Sequence, residues 1–91
     1  MSDMCRKFRV TGRVQGVWFR AWTQRTAEEL GLRGWVRNED DGSVSGVAAG
    51  PEDAVARFLE ALKHGPERAV VAEVETEASG EDAGDGFRVA P

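Results

Sequence analysis

An α+β fold, with an antiparallel sheet carrying two helices on one face, is predicted for this 91-residue chain by three observations. Phe8, Val10, Gly12 and Val14 alternate with Arg9, Thr11 and Arg13, the period of two that a strand with one buried face requires. Two later segments switch to helical spacing, and between and after them the period of two returns. Gly, Pro and Asp clusters punctuate the switches, so the elements are short and follow one another closely.

Phe8 to Val14 is the first strand. From Phe19 to Leu30, Phe19, Thr23, Ala27 and Leu30 share a stripe from which Gln24, Arg25, Glu28 and Glu29 point away, and Gly31 stops this first helix. Gly34 to Arg37 is a second strand. Asp40, Asp41 and Gly42 make a hairpin turn into a third, Ser43 to Ala49, and the two pair antiparallel. Pro51 stands where a first helical residue would, Glu52 and Asp53 fill the first turn, and Val55, Phe58, Leu59 and Leu62 form the apolar stripe of a second helix. Lys63, His64 and Gly65 close it, with His64 placed where the helix dipole favours positive charge. Val70, Ala72, Val74 and Thr76 alternate with Val71, Glu73, Glu75 and Glu77, so the first set is expected inward on a half-buried strand. Ser79 to Gly86 is polar and Gly-rich and reads as a mobile loop before a last short strand around Phe87 to Val89. The order β-α-β-β-α-β plus one terminal strand is the ferredoxin-like sandwich.

One domain, residues 1–91, is expected. At 9.9 kDa a folded chain exposes roughly 5,200 Å², enough burial for a single core. No apolar stretch approaches the length of a bilayer span, and Met1 to Val10 alternates charge with bulk where a signal peptide would be continuously apolar, so a soluble, cytoplasmic protein with no membrane partner is expected. A single Cys cannot form an internal disulfide, and one Cys with one His cannot assemble a usual zinc site, so no metal or other cofactor is expected. The formal charge of −4 conceals segregation. Residues 1–38 hold eight basic and three acidic side chains, a balance of +5, whereas residues 39–91 hold four and thirteen, a balance of −9. The first part therefore suits a small anion, while the second disfavours a long polyanion.

The two helix starts differ in kind. The second complements its own dipole with acids. The first follows Val14-Gln15-Gly16-Val17-Trp18, has no Ser, Thr, Asp or Asn to cap it, and places the cation Arg20 in its opening turn. Orphan amides and a cation at the positive end of a helix are both relieved if an anion binds there. Gly16 is the turning point, and Arg20 supplies a fork of donors matched to phosphate or carboxylate.

The run Val10-Thr11-Gly12-Arg13-Val14-Gln15-Gly16-Val17-Trp18-Phe19-Arg20, followed by Gly31-Leu32-Arg33-Gly34-Trp35-Val36-Arg37-Asn38, resembles the two signature stretches of the acylphosphatase family, and the likeness extends over nearly the whole chain. The resemblance implies hydrolysis of acyl phosphates to a carboxylate and inorganic phosphate, without metal or covalent intermediate. It implies that Arg20 binds phosphate, that Asn38 orients water, and that the amides of Gln15, Gly16, Val17, Trp18 and Phe19 complete a phosphate loop. Ser43 falls where the family often has a hydroxyl near the site. Trp18 occupies a position at which the family varies. Small-molecule acyl phosphate is the implied partner, with inorganic phosphate as product and competitive inhibitor, and the protein is expected to be monomeric.

The chemistry is consistent with so few groups. A mixed anhydride carries a good leaving group, and phosphoryl transfer is mostly positioning and charge stabilisation. Two other readings were open on sequence. A regulatory module that keeps the phosphate cradle without catalysis is disfavoured by the presence of both Arg20 and Asn38. An RNA-binding domain of the same fold would need exposed aromatic residues on two adjacent strands within a basic surface, and here acids line the later strand, so no nucleic-acid partner is expected.

Overall fold

The computed structural model describes residues 3–91; Met1 and Ser2, which begin the stretch contrasted above with a signal peptide, lie outside the described residues. The elements are β1 (Asp3–Arg13), α1 (Phe19–Glu29), β2 (Arg33–Asn38), β3 (Val44–Pro51), α2 (Glu52–Leu62), β4 (Val70–Ala78) and β5 (Phe87–Val89). They form one sheet in the order β4-β1-β3-β2-β5. β1 is antiparallel to both neighbours, and β2 and β3 form the predicted hairpin with Asn38 opposite Val44. Alternate residues Phe8, Val10, Val36, Val44 and Ala48 turn to one face, where they meet Phe19 and Ala27 of α1 and Val55, Phe58 and Leu62 of α2. Phe58 ties the layers together, its ring edge-on to Phe8 at 5.4 Å and tilted against Phe87 at 5.9 Å.

The helix ends follow the chain's local chemistry. α1 closes as the sequence predicts, with the Leu32 amide donating to the Ala27 carbonyl at 2.9 Å and the Gly31 amide to Glu28 at 3.1 Å. Pro51 sits one position earlier than expected. It ends β3 and caps α2 with an extended ψ of 141°, leaving Glu52 as the first helical residue.

β4 has the opposite phase to the predicted one over its first half. The ladder with β1 slips between Thr11, opposite Glu73, and Gly12, opposite Val71, so Ala72 is an extra residue in a bulge. One inserted residue reverses the facing of everything before it. Val71 and Val74 therefore both pack against the core, while Val70, expected inward, is exposed. Gly12 makes the bulge possible: with φ +120° it lies so close to β4 that a Cβ would come within 2.2 Å of the Val70 carbonyl oxygen.

The four antiparallel strands are those predicted; β5 adds in parallel to β2, so the whole sheet is mixed. The reason is directional. β4 leaves the sheet at one edge, and the chain must cross to the other edge before re-entering from the same end. The crossing segment is residues 79–86, read from sequence as a mobile loop. It is instead packed under the face of the sheet that the helices leave open: Ala83 is buried against Val47 and Ala49, the Trp35 indole donates to Glu81 at 2.9 Å, and Arg88 donates to the Ala83 carbonyl at 3.1 Å. No helix among the described residues is long and apolar enough to cross a membrane.

Candidate active site

β1 ends beside the sheet's centre and α1 must begin on its covered face, so residues 14–18 reverse the chain within five residues. Two left-handed residues accomplish it, Gly16 at φ 75° and Trp18 at φ 65°. Glycine enters that region freely, but for Trp it is unfavourable by about 1–2 kcal/mol, and Trp18 is the only non-glycine residue with positive φ among those described. Trp18 is also the N-cap of α1 and provides no side-chain cap; no acid occupies the first turn. The amides of Gln15 through Arg20 donate to no acceptor among the described residues. The helix start thus presents free N–H groups and its uncompensated positive end.

Arg20 projects from the first turn. Lys7, Arg9, Arg33, Arg37 and Lys63 all find carboxylates, in part across the two oppositely charged segments, as in Lys7 with Glu77 and Arg9 with Glu75. Arg20, like Arg13, Arg25, Arg57 and Arg68, pairs with no carboxylate among the described residues, and it is distinguished from them by its place at the start of α1. It opens onto a cavity of about 400 Å³ lined by Val14, Gly16, Trp18, Phe19, Arg20, Ala21, Asn38 and Val89. Asn38 reaches this cavity as the last residue of β2. Its side-chain oxygen Oδ1 is buried without a hydrogen-bond partner. A carbonyl taken out of water and left unpaired is unfavourable, and it is poised to accept from a donor that enters the cavity.

The loop and the Asn38 hairpin are tied together by Gln15. Its Nε2 donates to the backbone carbonyls of Glu39 at 2.8 Å and Ser43 at 2.9 Å, bridging the two ends of the β2–β3 turn. Sequence reasoning placed Gln15 in the loop for its amide and missed this side-chain function. The turn is itself stiffened. Asp41 accepts from the Ser43 hydroxyl at 2.6 Å and the Ser43 amide at 2.9 Å, and Arg9 also donates to it. These hydrogen bonds, those from Ser43 foremost, pull the Asp41 carboxyl down to about 2. Glu39 is likewise held below its ordinary value, by the Ser45 hydroxyl and then by Arg37.

Ser43 is buried, its hydroxyl is engaged with Asp41 and Arg9, and it is not among the residues lining the cavity. The structure therefore brings Gly16, Trp18, Phe19, Arg20 and Asn38 to one cavity, and puts Gln15 and Ser43 in the framework behind it. Val89 also lines the cavity. No sequence signal marked it, because its position depends on the crossing that carries β5 beside β2.

A larger groove of about 640 Å³ lies on the open face of the sheet, among Lys7, Arg9, Trp35, Arg37, Glu39, Glu75, Glu77 and Glu81. Its cations are already matched by neighbouring carboxylates, and Arg37 also stacks on Trp35 at 4.9 Å. It lacks the unpaired cation and free amides that distinguish the smaller cavity.

The model of the acylphosphatase family matches residues 6–89. An acylphosphatase from Sinorhizobium medicae is 57% identical over 82 residues, which is 89% of this chain and 87% of that protein. Among solved structures, an acylphosphatase from Coxiella burnetii superposes with a TM-score of 0.93 at 40% identity, covering 97% of this chain and 93% of the other. One from Bacillus subtilis gives 0.91 at 38% identity, covering 97% and 99%.

Proposed function

We propose, from the premise that this chain belongs to the acylphosphatase family, that it hydrolyses acyl phosphates at the cavity between the start of α1 and the end of β2. The observation that carries the assignment of residues is the meeting there of the unpaired Arg20, the free loop amides and the partnerless Asn38 oxygen. In this reading the Arg20 fork and the amides of Gln15 to Phe19 hold the phosphoryl oxygens and stabilise the charge they carry as the bond to the leaving group lengthens. The Asn38 Oδ1 accepts a hydrogen bond from the attacking water and aims its oxygen at phosphorus. The new P–O bond forms as the bond to the acyl oxygen breaks, and its electron pair departs with the carboxylate. The proton released by water passes to a phosphoryl oxygen of the substrate, and inorganic phosphate results.

No enzyme nucleophile takes part, and the charge comes from Arg20 and the backbone. The purified protein should therefore hydrolyse a small acyl phosphate after treatment with chelator, with inorganic phosphate as a competitive inhibitor. Absence of turnover by folded protein would refute the assignment. A single turnover in ¹⁸O-labelled water should place the label in phosphate, whereas label in the carboxylate would place the attack at carbon. A monomer in the cytoplasm is the working expectation.

A further inference from the structure

The described residues leave three large apolar side chains exposed, Trp18, Val70 and Val89, and two of the three line this one cavity. Trp18 is 81% exposed, and its backbone is held in the unfavourable left-handed region beside the phosphate cradle. Water-facing apolar groups gathered at a cleft mark a surface that is covered when the ligand is bound. In the acylphosphatase reading, the polar part of the cavity, Arg20 with the loop amides and Asn38, holds the phosphoryl group and its water. What remains for the rest of the substrate is the wall of Trp18 and Val89.

We propose that Trp18 and Val89 form an acyl-group wall that selects acyl phosphates with an aromatic or bulky apolar acyl group over those with a small one. The inference rests on the acylphosphatase reading of the site. The indole offers a flat face for offset stacking with few rotatable bonds to order, and Val89 on β5 adds an apolar surface to the same cavity. Nothing in the wall supplies a hydrogen-bond partner for a polar acyl chain apart from the indole N–H.

The test compares kcat/KM for benzoyl phosphate and acetyl phosphate in the wild type, Trp18→Gly, Trp18→Phe and Val89→Ser. The readout is the ratio of the two, in which any disturbance of the phosphate cradle common to both substrates cancels. Gly suits φ 65° better than Trp, so Trp18→Gly retains the loop's conformation. The benzoyl-to-acetyl ratio should fall by about three- to tenfold in Trp18→Gly, recover in part in Trp18→Phe, and fall by about twofold in Val89→Ser. Competition by phenylphosphonate, relative to methylphosphonate, should weaken in parallel, which reads binding without turnover. If Trp18→Gly alters both substrates by the same factor, the wall is refuted while the acylphosphatase reading stands. If the folded wild type hydrolyses neither substrate, that reading fails and the wall with it.

Discussion

Asn38→Ala separates a residue that serves the reaction from one that serves the fold. The Asn38 carboxamide makes no hydrogen bond with the described residues, and its Oδ1 is buried. Deleting it removes no intramolecular bond and abolishes a desolvated acceptor whose burial opposes folding by about 1–3 kcal/mol. Offsetting this is the loss of some packing at the end of β2, where strand preferences span about 1 kcal/mol. Stability should stay level or rise by about 1 kcal/mol, and a rise of that size lifts Tm by about 4–8 °C in a domain of this length. Turnover should move the other way, falling by about 10²–10³-fold, the scale for removing one positioned polar group from a reaction centre. Urea titration followed by tryptophan fluorescence and initial rates of acyl phosphate loss, measured on the same preparation, give both numbers. A drop in stability of more than about 1 kcal/mol alongside the rate loss would make Asn38 a structural residue. A rate within about threefold of wild type would remove it from the mechanism altogether.

Arg20→Lys keeps the charge but loses the planar fork, so KM should rise and kcat fall by about 10-fold or more with the melting curve unchanged, because Arg20 has no ion-pair partner to lose. Inhibition by inorganic phosphate should weaken with it. Gln15→Ala removes the two bonds at 2.8 and 2.9 Å that tie the loop to the hairpin, and should lower stability by about 1–3 kcal/mol in urea while slowing turnover; an unchanged rate would mean that the tie does not position Asn38. Asp41 has a folded-state pKa of about 2 against an ordinary 3.8, so its contribution to stability is present in full above pH 3.8 and is lost as pH falls through 2. The Asp41 carboxyl ¹³C shift should titrate at about 2, and Asp41→Asn should flatten that part of the stability profile; a midpoint at the ordinary 3.8 would contradict the hydrogen-bond geometry.

The local features were legible wherever they were encoded over a few neighbouring residues. The α1 stop at Gly31, the hairpin at Asp41-Gly42 and the acidic first turn of α2 depend on local backbone preferences and charge, and each appears where the sequence put it. The β4 phase was not legible, because the alternation Val70, Ala72, Val74 is sound by itself and is reset by a bulge that exists only through pairing with Gly12 on a strand some sixty residues earlier. Residues 79–86 misled for a similar reason: their polar, Gly-rich composition describes the side facing water. The crossing is anchored to strands distant in sequence by Ala83, buried against Val47 and Ala49, and by the Trp35 bond to Glu81, with Arg88 adding a bond to the Ala83 carbonyl. At the site, Arg20 and Gly16 stood out from local rules, and Asn38 came only through the family signature. No pattern near Asn38 foretells that β2 will end beside the start of α1; that adjacency comes from the right length of helix and turn between them.

The departures from good local design collect at one end of the sheet. α2 carries Glu52 and Asp53 against its dipole and begins after a proline in an ordinary extended conformation. α1 begins with a left-handed Trp, no side-chain cap, no acid, free amides and an unpaired arginine, and faces an asparagine oxygen without a partner. The missing side-chain cap is common to both helices, but the left-handed Trp, the absence of an acid and the first-turn arginine belong to α1 alone, and α2 leaves its strand without them. Under the proposed function a bound phosphoryl group with its water satisfies the amides, Arg20 and Asn38 together, and the strained Trp18 belongs to the turn that presents those amides. The same account resolves the chain's net charge. The acids of the later segment neutralise Lys7, Arg9 and Arg37, and of the arginines without a carboxylate partner Arg20 is the one that lines the cavity beside the free amides, so a protein of charge −4 can still favour a small anion there. Introducing an acid into the first turn of α1, as in Ala21→Glu, should therefore stabilise the unliganded fold by some tenths of a kcal/mol through the dipole and weaken phosphate inhibition at the same time. Thermal melts with and without phosphate measure both effects, and a variant that gained stability without losing phosphate affinity would show that the helix start and the anion site are not the same feature.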